Sequence, residues 1–161
     1  RRLPLTGLYL DYMKNAIEDG EFVQAIVVPD AAFRRQLRGY KVSKRFDCDI
    51  SALCAGMAIE LDAGVVRSVR LAYGGMAATV RRAAEAEAAI TGQPWSEATV
   101  RTAQQALARD FTPLTDMRAS SAYRLQVAQN LLQRLWLETR PENPLPPAAT
   151  SVFHLMPHAA A

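Results

Sequence analysis

The feature that most constrains the fold is a pair of β-type segments joined by a short turn in the middle of the chain. Residues 50–61 carry an apolar side chain at every second position, which is the period of a strand with one buried face. Residues 65–73 follow the same period less strictly. The turn between them, Asp62-Ala63-Gly64, contains a glycine that tolerates positive φ, so the sequence predicts an antiparallel hairpin. The predicted buried face comprises Leu53, Ala55, Met57, Ile59 and Leu61, followed by Val65, Val69, Leu71 and Tyr73.

Two further strands are predicted before this hairpin. Residues 40–46 alternate between apolar and charged side chains and read as the strand next to it. Residues 21–29 are rich in β-branched and aromatic side chains and end at a proline, which also indicates a strand. The segment 30–38 is then predicted to be a loop, and residues 1–20 a connector.

Three helices are predicted after the strands. Residues 80–91 are rich in alanine and are followed by Gly92, a natural residue to end a helix. Residues 97–109 begin after Ser96, a favourable N-cap, and residues 119–139 form the longest helix. Trp95 and Val100 flank Ser96 at the spacing of a hydrophobic staple. The apolar stripe of the longest helix comprises Ala122, Leu125, Ala128, Leu132 and Leu135, whereas Arg124, Gln129 and Gln133 are predicted to lie elsewhere around it.

This order of elements predicts an α+β fold, an antiparallel sheet of three to four strands with a helical layer on one face. The second face of the strand over residues 50–61 is small and weakly apolar, which predicts that a helix or another domain lies against it. Five of the nine prolines fall in residues 141–161, which are predicted to form an extended tail.

Composition and charge exclude several classes of protein. The 161 residues suffice for one domain with a core, and a net charge of +3 is too small to indicate nucleic-acid binding. No apolar run approaches the roughly 18 residues of a membrane helix, and no signal peptide is visible. Cys48 and Cys54 lie too far apart along a strand for a disulfide, so both are expected to be reduced thiols in a cytoplasmic protein. Because the chain begins Arg1-Arg2, we expect it to be a piece of a longer chain.

No self-contained catalytic site is predicted. The sequence lacks the G-x-S-x-G and G-x-x-x-x-G-K-[ST] motifs and any cluster with metal-ligand spacing. Its two histidines, His154 and His158, lie in the tail, where Pro157 disfavours the helix that a shared metal ion would need. We therefore assign no catalytic residue and no metal site.

The densest charge lies in residues 34–45, where six basic residues precede the acidic residues of the segment 47–49. From composition this density favours a solvated loop, and the functional alternative is contact with phosphates or another anionic ligand. Gly74-Gly75 also leaves two interpretations open, a phosphate cradle or a tight turn. Asp116 and Arg118 are either a ligand pair or an interaction with the helix N-terminus and a neighbouring acid.

Three motifs taken together resemble one known family. They are YKVSKRFDCDIS, VRLAYGGMAATVRRAAEAE and DFTPLTDMRASSAYRLQVAQNLLQR. In this order and spacing they resemble the flavin-containing small subunit of bacterial xanthine dehydrogenases, which are molybdenum hydroxylases. The resemblance covers roughly residues 1–140. It implies that residues 1–38 are the end of an FAD-binding domain, that residues 39–140 are the C-terminal α+β domain, and that residues 141–161 are a tail.

The resemblance also implies a function and a set of cofactors. Purine oxidation would occur at molybdopterin in a partner large subunit, and electrons would pass through [2Fe-2S] clusters and FAD to NAD. The rest of the small subunit would carry the clusters and most of the FAD site, in an (αβ)₂ assembly. The enzyme would thus be an oxidoreductase of which this piece alone is inactive. Neither nucleic acid nor membrane is an expected partner.

Two FAD contacts carry over by position, Val23 and Lys41. The segment 42–48 matches the loop that passes near the flavin in relatives, but Cys48 replaces an acidic residue there. Two other functions stay open: the equivalent subunit of another molybdenum hydroxylase, such as carbon monoxide dehydrogenase or an N-heterocycle hydroxylase, and a cofactor-free α+β interaction module. The predicted flavin-proximal residues are Ser43, Lys44, Arg45, Asp47 and Cys48.

Overall fold

A computed structural model describes residues 1–45 and 49–151. Within these ranges the strands are β1 (Tyr9–Asp11), β2 (Lys14–Asn15), β3 (Gln36–Val42), β4 (Leu53–Asp62), β5 (Val65–Gly74) and β6 (Arg81–Arg82). The helices are α1 (Ala84–Ile90), α2 (Glu97–Asp110) and α3 (Ser121–Thr139), and short 3₁₀ helices span Leu5–Gly7, Asp30–Arg34 and Pro147–Thr150. The main sheet is antiparallel with the order β3-β4-β5-β6, and the helices cover one of its faces. This confirms the predicted α+β fold.

The predicted hairpin is the centre of the sheet. Ala63 and Gly64 have φ of 47° and 79°, so both turn residues adopt the left-handed conformation that a two-residue hairpin requires. One detail of the prediction is wrong, because the pairing shifts by one residue beside Glu60. This bulge turns Val66 into the core and leaves Val65 38% exposed.

Strand β3 differs from its predicted bounds. It begins at Gln36 and ends at Val42, so the predicted loop 30–38 is replaced by a 3₁₀ helix and the start of this strand. Pairing with β4 explains the difference, since Gln36 lies opposite Ile59 and Val42 lies opposite Leu53. The side chains that alternate toward the helices are Arg38, Tyr40 and Val42.

The predicted strand over residues 21–29 is wrong. Every residue of this stretch is exposed, and within the described parts of the chain it pairs with no other strand. A β-type sequence forms a strand only where a second backbone accepts its hydrogen bonds. Among the described side chains of residues 1–35, no large apolar one is buried in the core, and most of them, Leu8 excepted, are at least 36% exposed.

Helix α1 is shorter than predicted because its first residues join the sheet. Arg81 and Arg82 pair with β5, and the helix begins at Ala84. Asp110, at the end of α2, supplies the missing cap: its carboxylate oxygens accept hydrogen bonds from the backbone N–H groups of Glu85 and Ala86, both at 2.9 Å. Helix α2 begins after Ser96 as predicted, with the Ser96 hydroxyl accepting from the Thr99 N–H at 3.3 Å.

The core lies between the sheet and the helices. Tyr73 is fully buried there, with its hydroxyl 3.3 Å from the carbonyl oxygen of Ala128 and its ring edge-on to Phe111. Trp95 and Val100 are both buried, as the predicted staple requires. The largest fully buried side chains also include Leu53, Ile59, Leu71, Met76, Ile90, Leu107, Leu132 and Leu135.

The second half of α3 is fixed to β3 through Glu138. Its carboxylate accepts hydrogen bonds from Arg38 Nε at 2.8 Å, the Tyr40 hydroxyl at 3.0 Å and Arg134 Nε at 2.6 Å. Burial raises the pKa of Tyr40, and the adjacent carboxylate raises it further, so the phenol stays protonated and donates. The proline-rich segment then folds back along α3, where Arg134 Nη2 donates to the Thr150 hydroxyl at 2.9 Å.

Candidate functional site

A cleft of about 520 Å³ opens at the end of β3. It lies between the N-terminus of α3 and the loop that follows β3, which begins at Ser43 and which we call the charged loop. Its walls come from two regions of the chain that are far apart in sequence. The lining residues are Val42, Ser43 and Lys44 from the end of β3, Ala52, Thr115 to Ser120 from the loop before α3, and Tyr123.

Arg124 holds these parts together. Its side chain is 5% exposed, and its Nη1 donates to the carbonyl oxygens of Ala52 and Gly75, both at 2.6 Å, while Nη2 donates to Asp116 Oδ1 at 2.7 Å. Ala52 directly follows the first sequence motif, and Gly75 and Asp116 lie in the second and third. One buried guanidinium therefore joins the regions of all three motifs.

The predicted position of Arg124, away from the apolar stripe of α3, is wrong. Arg124 stands four and seven residues before Ala128 and Leu131, which are both buried, so helical spacing puts it on the buried face. Its place among apolar positions at that spacing was the signal available in the sequence. What the sequence does not reveal is that two of its partners are backbone carbonyls.

Gly75 is a turn residue rather than a phosphate cradle. It has φ of +81°, and a Cβ built on it would lie 2.7 Å from the Ala52 carbonyl oxygen and 3.0 Å from Arg124 Nη1. Glycine is therefore required both by backbone conformation and by the close approach of β4. The segment after it joins β6 rather than a helix.

Asp116 organises the loop before α3. Its Oδ1 accepts hydrogen bonds from the N–H groups of Arg118 at 2.8 Å and Ala119 at 3.1 Å, besides the one from Arg124. The Arg118 backbone bond, followed by the Arg124 guanidinium, holds the pKa of Asp116 below its ordinary value. The predicted contact with the helix N-terminus is made by Ser120 instead, whose hydroxyl accepts from the Tyr123 N–H at 3.2 Å.

The described part of the charged loop is held at two points. Lys44 Nζ donates to the Met117 carbonyl oxygen at 2.8 Å, which ties this loop to the loop before α3. Asp49 accepts from the Arg45 N–H at 3.0 Å and from Arg45 Nη2 at 3.2 Å. These hydrogen bonds lower the pKa of Asp49. Two basic residues of the predicted anion site are thus engaged with the protein itself.

The structure brings some of the predicted site residues together and separates others. Ser43 and Lys44 line the cleft, and Arg45 follows them, whereas Asp47 and Cys48 lie outside the described residues. Lys41 is exposed on the sheet face away from the helices, directly opposite Cys54. Val23 is 56% exposed in the unpaired stretch 21–29. The proposed roles of these residues in binding FAD stay predictions.

The described ranges contain neither a metal-binding cluster nor a membrane-spanning helix. No group of three His, Cys, Asp or Glu residues there has the arrangement of a metal site, and His154 and His158 lie outside these ranges. None of the helices described is long and apolar enough to cross a bilayer.

Comparison with known proteins relates the chain to flavoproteins. Residues 38–139 match the family described as CO dehydrogenase flavoprotein C-terminal domain. Xanthine dehydrogenase of Emericella nidulans is 34% identical over 112 residues, which are 68% of this chain and 8% of that protein. The putative xanthine dehydrogenase FAD-binding subunit XdhB of Escherichia coli (strain K12) is 26% identical over 136 residues, 84% of this chain and 47% of that protein. The chain thus spans less than half the length of these two relatives.

The fold is shared with a solved enzyme. Carbon monoxide dehydrogenase from Hydrogenophaga pseudoflava superimposes with a TM-score of 0.67 and 24% identity, over 80% of this chain and 45% of that chain. At this identity the likeness concerns the fold.

Proposed function

The chain belongs to the CO dehydrogenase flavoprotein C-terminal domain family, and from this premise we propose that it is the C-terminal part of the FAD-containing subunit of a xanthine dehydrogenase. In that enzyme, electrons from purine oxidation at the molybdenum centre of a partner subunit would pass through [2Fe-2S] clusters to FAD and then to NAD. This chain would help to hold the FAD and would shape the protein around the flavin.

One observation supports the proposal most directly. The first and third of the motif regions that carry the resemblance line one cleft, and the buried Arg124 joins both of them to the second through the Gly75 carbonyl. Motifs that served only the core would have no reason to meet at an exposed cleft.

The residues present fit a partial FAD site. Lys41 is an exposed cation, and within the described residues it forms no ion pair, so its ammonium group is open to an anionic ligand. FAD, when bound, supplies the redox chemistry. Lys44 and Arg45 would place positive charge beside it, which stabilises a reduced, anionic flavin. Because Lys44 is tied to Met117, its charge would be held at a fixed position.

The charge of Lys44 can be separated from its tether. In the complete enzyme, Lys44→Gln removes the charge and keeps an N–H donor for the Met117 carbonyl, whereas Lys44→Met removes both. Both variants, and Lys44→Gln combined with Arg45→Gln more strongly, should lower the flavin midpoint potential, by on the order of tens of millivolts. Spectroelectrochemical titration and steady-state kinetics with NAD measure this.

The matched control is Arg101→Gln, an exposed cation on α2 that pairs only with Glu97 of its own helix among the described residues. This variant should change neither the flavin midpoint potential nor the kinetics with NAD. If the Lys44 and Arg45 variants leave both the potential and the NAD kinetics unchanged, the charged loop does not act on the flavin. An absence of FAD from the complete wild-type subunit would refute the proposal itself.

The family description and the shared fold support a second candidate, the equivalent subunit of another molybdenum hydroxylase. In either enzyme the molybdenum-containing partner subunit, rather than this chain, would select the substrate. Assays of the complete enzyme with a purine, an N-heterocycle and carbon monoxide separate these functions. Turnover of carbon monoxide or the N-heterocycle without turnover of xanthine would favour the second.

A further inference from the structure

Two glycines on the open face of the sheet have no explanation inside the described structure. Gly39 and Gly56 lie directly opposite each other in the interiors of β3 and β4. Neither has positive φ, and a Cβ built on either would meet no atom within 4 Å. Gly74 and Gly75 differ, because each is required by a close neighbour. A Cβ on Gly74 would lie 2.6 Å from Cys54 Sγ, and a Cβ on Gly75 would lie 2.7 Å from the Ala52 carbonyl oxygen.

Glycine weakens a strand interior, and it is used there where another backbone or a ligand approaches closely. The surroundings of the pair agree with such an approach. Ala72 continues the same row on β5, and a hollow of about 310 Å³ extends toward Leu37, Ala58 and Arg70. We name this row and hollow the glycine trough, comprising Leu37, Gly39, Gly56, Ala58, Arg70 and Ala72.

We propose that the glycine trough is the surface on which the part of the subunit that precedes β3 docks. This inference rests on the proposed function, since it takes that part to be the FAD-bearing body. Chain connectivity is the first argument. The segment 1–35 enters the sheet through Gln36, which directly precedes Leu37 of the trough, so its packing partners are held next to this face.

The exposed apolar surface of residues 1–35 is the second argument. Tyr12, Met13, Phe22, Ile26 and Phe33 are between 71% and 88% exposed, although side chains of this kind normally lie against other protein. We therefore place the packing partners of these side chains in a part of the subunit that adjoins residues 1–35.

The polar rim of the trough is the third argument. Lys41 and Arg70 project from the same face on either side of the glycine row, and within the described residues neither forms an ion pair. The trough thus fits a surface that presents close backbone or small side chains at its centre and carboxylate or phosphate groups at its edge. Lys41 is also the residue that the resemblance places on FAD.

The test adds a side chain where the structure leaves space. In the complete FAD-containing subunit, Gly56→Val should weaken FAD retention and speed proteolytic cleavage between residues 29 and 36, each at least tenfold. In the 161-residue chain the same substitution should leave the Tm unchanged or raise it, because the site is open and valine favours strands. Arg81→Val, on the exposed strand β6, is the control and should leave FAD retention and proteolytic cleavage unchanged.

Two results would contradict the inference. If Gly56→Val leaves FAD retention and cleavage at wild-type values, the inference is wrong. If it lowers the Tm of the 161-residue chain as much as that of the complete subunit, the glycine serves the fold alone and the inference is also wrong. Should the valine variant not accumulate, Gly39→Ala and Gly56→Ala add a single methyl and give the same readouts. A wild-type 161-residue chain that is a dimer by light scattering, with a monomeric Gly56→Val variant, would identify a second copy as the occupant.

The proposed function and this inference fail separately. A complete subunit that binds no FAD refutes the function, while the cleavage measurement still reports whether the preceding body docks on the trough.

Discussion

The two halves of helix α3 are fixed to the sheet by opposite kinds of buried charge. In the first half a cation, Arg124, donates to two backbone carbonyls and one carboxylate. In the second half an anion, Glu138, accepts from three side chains on β3 and α3. Arg124 lies at the cleft and joins loops, whereas Glu138 lies away from the cleft and holds an edge strand.

The difference lies in what remains when each charge is removed. Without Arg124 two carbonyl oxygens lose their donor, and a backbone group cannot be substituted to compensate. Arg124 also carries a cost of its own, because its Nε is buried and finds no partner within the described structure. Without Glu138, the arginines beside it are partly exposed and can turn toward water. We therefore expect the cleft end of α3 to be the more sensitive one.

The largest expected effect is that of Arg124→Leu. Removing one partner of a buried charged network leaves the others unsatisfied, so the free energy of unfolding should fall by about 3 kcal/mol. Chemical denaturation of the 161-residue chain measures this. Arg101→Leu, an exposed arginine on α2, should cost less than about 0.5 kcal/mol. A loss below about 1 kcal/mol for Arg124→Leu would show that the two ends of α3 do not differ as argued.

The next effect is that of Glu138→Gln, for which we expect a loss of about 2 kcal/mol. The amide keeps one acceptor but turns N–H groups toward the donors Arg38 and Arg134. Chemical denaturation again gives the value. An unchanged stability would mean that the three hydrogen bonds to Glu138 contribute nothing net.

The same variant predicts a pH dependence. Burial raises the pKa of Glu138, but the hydrogen bonds from Arg134, Tyr40 and Arg38 outweigh it, and the pKa lies below its ordinary value. A carboxylate with a depressed folded-state pKa stabilises the protein above its unfolded-state pKa of about 4.3, and this stabilisation is lost as the pH falls through the folded-state pKa. The stability difference between wild type and Glu138→Gln should therefore be constant above about pH 5 and shrink in acid. A difference that grows in acid would contradict the assignment.

The same comparison shows how far the sequence predicts this molecule. The α+β fold, the hairpin and the Ser96 cap follow from local patterns, because period, turn glycine and cap each act within a few residues. The missed elements depend on distant partners. The predicted strand 21–29 fails because no described strand pairs with it, and the start of α1 moves because Asp110 caps it from another helix.

For the candidate site, the sequence predicts which residues belong to it better than it predicts which atoms they contact. It identified the charged loop and the motif around Asp116, and Ser43 and Lys44 do line the cleft. The burial of Arg124 was missed although its helical spacing from Ala128 and Leu131 indicates it, whereas its backbone carbonyl partners leave no trace in residue identity. The sequence also does not reveal that Lys44 donates a hydrogen bond to the Met117 carbonyl, because this contact depends on where two loops meet.

The smallest expected effect concerns the tail, and it sharpens the boundary of the Glu138 region. Thr150→Val is nearly isosteric and removes the hydrogen bonds of the hydroxyl with Arg134 and with the Pro147 carbonyl. The loss should be about 0.5–1 kcal/mol, because the site is only partly buried. If the tail belongs to the same network, Thr150→Val should cost less in the Glu138→Gln background, since Arg134 has then already lost its principal acceptor. Strictly additive losses in a double-mutant cycle would instead mean that the tail rests on α3 independently, and that only β3 depends on Glu138.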